Sequence, residues 1–110
     1  MTGFAGEKTL MRIFIGEADR HKGLPLFEVL LEMLYKQGFA GATVLKGVAG
    51  FGANSVMHTD KILRLSTELP LVIEVVDDEK KIQQVIPQFD ELMQGGMITL
   101  EKARVIRYRP

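Results

Sequence analysis

Two arginines near the end of the chain are spaced to bind an anion. Arg107 and Arg109 stand two apart in IRYR. On an extended segment residues i and i+2 point to one side. Two planar guanidinium forks on one face suit a phosphate. The same spacing also suits a solvated edge strand whose charges oppose aggregation. A second set is backbone chemistry. Gly47, Gly50 and Gly52 fall within six residues, with Phe51 before the last, and Gly95 and Gly96 precede MITL. Dense glycine lets the backbone approach a ligand closely, or simply makes a bulge and a turn. Neither the dinucleotide pattern nor the P-loop pattern is present.

Other polar candidates are fewer. His58, beside Thr59 and Asp60, can hydrogen-bond a ligand or respond to pH, or be an ordinary loop residue. His21 sits among Asp19, Arg20 and Lys22 and reads as a solvated neighbour of charge. Glu17 follows a glycine and can accept from a ligand amine or hydroxyl, or pair with Lys46 or Arg20. Asp77, Asp78 and Glu79 stand where a helix begins and are read as structural. No serine or cysteine lies beside a histidine and no carboxylate dyad stands out, so an enzyme is not expected.

The elements that must position these residues follow from periodicity. Residues 9–16 (TLMRIFIG) alternate as a strand, after a small, polar segment 1–8 expected to be a frayed, disordered tail. Pro25 opens a helix with Leu26, Leu30 and Leu34 on one side and Gly38 as its stop. Gly41 leads into a β-branched strand ending in the glycine elbow, followed by a long polar loop over 53–67. Residues 69–76 (LPLVIEVV) are the strongest strand. A second helix carries Ile82, Val85, Ile86, Phe89, Leu92 and Met93, with Pro87 expected to kink or split it near Gln83. Residues 97–100 and 103–109 read as two extended pieces interrupted by Glu101 and Lys102.

This order is βαββαβ, an α+β, ferredoxin-like sandwich with an antiparallel sheet and two helices on one face, built as a single domain over 9–110. The other sheet face is left bare. Leu10, Val44, Val72 and Val105 cannot all point at the helices, so an oligomer is expected. Fourteen basic and fourteen acidic residues cancel, which removes general attraction to nucleic acid or membrane. There is no cysteine, hence no disulfide or thiolate metal site, and no apolar run of membrane-spanning length. A cytoplasmic setting is expected.

The segments VLKGVAGFG, LPLVIEVVDDE and IRYR, with the paired glycines before MITL, resemble the PII signal-transduction superfamily. More closely, the chain resembles its PII-like conserved family of unknown function, with Gly41, Thr43, Val44, Gly47, Gly50, Phe51 and Gly52 on the family's strand–elbow pattern and Glu17, Gly23, Pro25 and Leu26 at its start. The resemblance implies a homotrimer with sheets packed around a central barrel and an AMP-, ADP- or ATP-type nucleotide between subunits. It implies that Gly50, Phe51 and Gly52, the loop of Gly95 and Gly96, and Arg107 with Arg109 contact that nucleotide. It also implies control of a partner, such as a membrane channel or transporter, through the mobile loop. No tyrosine lies between 53 and 67, so the covalent modification of some PII proteins is not implied. The alternative is a trimeric divalent-metal-binding protein of the cation-tolerance type, with His58, Asp60 and Glu17 as ligands.

Overall fold

The computed structural model describes residues 2–51, 69–108 and 110. Its main elements are β1 (Thr2–Gly16), β2 (Arg20–His21), β3 (Leu24–Pro25), α1 (Leu26–Lys36), β4 (Thr43–Lys46), β5 (Pro70–Asp77), α2 (Glu79–Val85), a 3₁₀ turn (Ile86–Phe89) and β6 (Met97–Tyr108). Four strands form one sheet in the order β4-β5-β1-β6, antiparallel at every pairing. β2 and β3 make a small hairpin inside what reads in sequence as a charged connection.

Register divides the sheet into two faces. Met11, Ile13 and Ile15 stand opposite Val75, Ile73 and Leu71, and all six are buried. Leu26, Leu30 and Leu34 of α1 and Ile82 and Val85 of α2 join them, with Phe39 and Phe89, in one core. The three leucines recur every four residues, which keeps them on one stripe. Val44 pairs with Ile73 and packs on this core too, so it leaves the bare face.

The bare face carries Leu10, Phe14 and Val72, half-buried, with Leu45, Val76 and Met97 exposed. At its centre the Arg12 side chain spans three strands. Its Nε donates to Glu74 on β5 at 2.9 Å and its Nη1 pairs with Glu101 on β6. Hydrogen bonding to Glu74, working against a lesser desolvation penalty, holds this guanidinium protonated beyond its usual range.

Three expectations are corrected. The segment expected as a frayed tail is the first half of β1, in register with β6 from Thr2↔Tyr108 onward, with a bulge between Phe4 and Gly6. Glu101 and Lys102 do not interrupt β6. They pair with Leu10 and Thr9, and an edge strand tolerates charge on both its faces. Pro87 splits the second helix, as expected, but after Val85 and not near Gln83. The α-helix runs to Val85 and Pro87 lies in the 3₁₀ turn, where its missing N–H costs little.

Candidate functional site

Three chain segments meet at Pro70. The Glu17 N–H donates to Leu69 O at 2.8 Å and the Gly47 N–H donates to Pro70 O at 2.7 Å. A Cβ on Gly47 would stand 2.7 Å from Pro70 Cγ, and one on Gly50 would stand 3.2 Å from the same atom. Gly47 and Gly50 therefore have a reason within the fold to be glycine: the chain after β4 passes close against the proline ring. Phe51, next along, is two-thirds exposed. Lys46 reaches back to Glu17, with Nζ 2.8 Å from Oε2. The other oxygen, Oε1, is buried without a hydrogen-bond partner among the described residues. It is an acceptor available to an amine or hydroxyl.

The second glycine loop reaches the same end of the sheet. Gly96 has φ +80°, and a Cβ there would lie 2.1 Å from Phe14 O, at the end of β1. Elbow and glycine loop thus flank the ends of all four strands, about 14 Å apart across three interstrand spacings.

Arg107 is elsewhere. It pairs with Gly3 at the far end of β6, ten residues and about 33 Å from Met97. There it lines a cavity of about 240 Å³ with Lys8, Ala40, Val76, Asp77, Asp78, Lys81 and Val105. Asp77 is the organising group. Its carboxylate accepts the Ala40 N–H at 2.9 Å and the Asp78 N–H at 2.7 Å, with Lys81 Nζ at 3.6 Å. Burial opposes its ionisation, but these donors and the Lys81 charge outweigh it and hold its carboxyl below the ordinary range. Lys81 also donates to Gly38 O at 2.9 Å and lies over the Phe39 ring. Asp78 occupies the cap position of α2, yet its side chain makes no cap bond and pairs with Lys8.

The chain therefore brings together Glu17, Lys46, Gly47 and Gly50, with Phe51 next in the chain, and sets Gly96, with Gly95 before it, at the same end of the sheet but on the opposite edge; Arg107 is at neither. Gly52, His58 and Arg109 lie outside the described residues, as do Asp60 and the 53–67 loop. The metal reading gains no cluster: among the described residues no three His, Cys, Asp or Glu side chains gather, and Glu17 is tied to Lys46. Sequence reasoning missed Lys8 and Lys81. Their one signal is register, and it becomes visible only once β1 is carried back to residue 2.

The order β4-β5-β1-β6 with two helices on one face is that of a PII-like, ferredoxin-type subunit. Its fold matches CPII from Thiomonas intermedia K12, a structure bound to ADP, AMP and acetate, with a TM-score of 0.64 at 15% identity over 96% of this chain and 92% of that one. The chain belongs to the DUF190 family, described as an uncharacterized ACR, whose model matches residues 8–105. A UPF0166 protein of Aquifex aeolicus (strain VF5) is 36% identical over 100 residues, 91% of this chain and 94% of the relative. A UPF0166 protein of Methanocaldococcus jannaschii is 34% identical over 99 residues, 89% and 91% of the two chains. Among the described residues no helix is long and apolar enough to cross a membrane.

Proposed function

We propose that this chain is a non-enzymatic, cytoplasmic PII-like regulator. It assembles as a homotrimer, binds a small adenine nucleotide between subunits, and signals to a partner, a membrane channel or transporter, through the 53–67 loop. The observation that carries this reading is the separation of the two half-sites. The glycine elbow and Arg107 stand at opposite ends of a subunit, more than ~33 Å apart along the strands, farther than one nucleotide spans. Neighbouring copies packed through the bare apolar faces would place the elbow of one beside the Arg107 end of the next. Crystals of CPII holding ADP and AMP on the same fold support the choice of ligand.

The test is complementation. Phe51→Asp spoils the elbow half and Arg107→Ala spoils the other, each weakening AMP or ADP at least tenfold by calorimetry, the order of one charge-assisted contact. Mixed and reassembled, the two variants regain some wild-type sites, because one seam receives both intact halves. Unchanged affinity in Arg107→Ala, or mixtures no better than either parent, would refute a shared site.

A further inference from the structure

Two acidic side chains stand in the turn that follows β1, and the fold uses up only one of them. Asp19 closes the turn. Its Oδ2 accepts the Gly16 N–H at 3.0 Å, and its own N–H donates to Gly16 O at 3.2 Å. Glu17 is held by its backbone instead. Its N–H donates to Leu69 O at 2.8 Å, and its carbonyl accepts from Arg20 Nη1 at 3.3 Å. With both backbone groups pinned, the root of the side chain is fixed. The carboxylate takes Lys46 on Oε2 at 2.8 Å and leaves Oε1 buried with no donor among the described residues. A buried acceptor left unpaired is costly and rare, so this oxygen calls for a donor from outside them.

The chemistry around Oε1 narrows that donor. Lys46 already neutralises the carboxylate, so a second cation gains little there. Among the described residues no three His, Cys, Asp or Glu side chains gather for a metal. A neutral hydroxyl fits better. It donates to Oε1, and its lone pairs can accept from the remaining donors of the Lys46 ammonium. The Glu17 side chain is 24% exposed and the carboxyl torsion of a glutamate is broad, so turning Oε1 outward costs little. Neighbouring hydroxyls on a sugar ring lie about one hydrogen bond apart, so one can meet Oε1 while the other meets Lys46. Carboxylates take a ribose hydroxyl in dinucleotide-binding folds by the same chemistry.

We infer that Glu17, held by Lys46, reads the sugar of the ligand: Oε1 accepts one ribose hydroxyl and Lys46 donates to the other. This deepens the nucleotide reading above and rests on it. It makes Glu17 the residue that separates ribonucleotides from deoxyribonucleotides. A deoxy sugar leaves Oε1 as unpaired as it is in the free chain, and a site built to pair a hydroxyl rejects the analogue without one.

Calorimetry with AMP, 2′-deoxy-AMP, 3′-deoxy-AMP and inosine monophosphate, on the full-length protein and on Glu17→Ala, tests this. Wild type is expected to bind AMP about tenfold or more tighter than at least one deoxy form, the order of one charge-assisted hydrogen bond. In Glu17→Ala the affinity for AMP falls to that of the deoxy form, whose own affinity stays within about twofold of its wild-type value. A merely structural residue would lower both together. Equal affinity for AMP and both deoxy forms in wild type overturns the inference, leaves the nucleotide reading in place and needs no variant to fold. A preference that survives in Glu17→Ala overturns it as well. A preference for AMP over inosine monophosphate alone assigns Oε1 to the amino group of the base and overturns the sugar assignment. Absence of binding by every one of these ligands removes the nucleotide reading, and this inference with it.

Discussion

Gly96→Ala asks whether the second glycine loop is shaped by a ligand or by the fold. Two costs are readable. At φ +80° a side chain strains the backbone by about 1–2 kcal/mol. The added carbon also begins 2.1 Å from Phe14 O. It must retreat by more than 1 Å, to roughly the 3.5 Å of ordinary contact. The neighbour is backbone, not the tip of a flexible side chain, and it belongs to the first rung of the β1–β6 ladder, Phe14↔Met97. Forcing atoms into packed surroundings costs about 1–3 kcal/mol. Together these predict a loss of about 2–5 kcal/mol, a large part of the ~5–15 kcal/mol that holds a domain folded. Urea denaturation without ligand, at fixed protein concentration, measures it. Gly41→Ala is the internal control, since a Cβ there meets nothing within 4 Å and its φ lies outside the left-handed range. That variant should fall within about 1 kcal/mol of the parent. Gly96→Ala within the same margin would refute the steric argument and return this glycine to the ligand. The order of experiments matters, because weakened nucleotide binding in Gly96→Ala is uninterpretable until stability is known.

Two further outcomes follow from the charged groups. The folded-state pKa of Asp77 is depressed, so the stability it contributes is present above the ordinary carboxyl value near ~3.9 and is lost as pH falls through the lower folded value; the denaturation midpoints of wild type and Asp77→Asn should differ by a constant amount from pH 7 to 5 and converge below about pH 4, and a gap that persists to pH 2 would show that the carboxylate's charge is not what matters. Arg12→Met leaves Glu74 and Glu101 on the bare face without their shared cation; if that face is the seam between copies, sedimentation should show a mass falling toward one subunit with circular dichroism unchanged, and adding Glu74→Gln and Glu101→Gln should restore assembly, whereas an unaltered mass in Arg12→Met would place the triad outside any interface.

What was legible in the sequence was what each segment states about itself. The alternation of Met11, Ile13 and Ile15 and the four-residue recurrence of Leu26, Leu30 and Leu34 are local patterns, and each is buried as its period implies. The first half of β1 has no such pattern. From Thr2 to Lys8 its only strand partner among the described residues is β6, no hydrophobic period marks it, and its register with residues 103–108 is a property of two distant segments. The glycines were visible as glycines, but their reasons lie opposite them, in Pro70 and in Phe14 O, where a one-dimensional reading does not look. The same blindness hid Lys8 and Lys81, which lie 73 positions apart in the chain and meet only across the cavity under Arg107. Register also joins two questions that the sequence keeps apart. Because Gly96 stands just before β6 and Arg107 near its end, a ligand that touched both would have to belong to two copies. On the proposed reading oligomer and ligand would be one equilibrium: occupancy should raise the mass of a dilute sample as surely as concentration does, and a ligand that saturates without doing so must sit at one end alone.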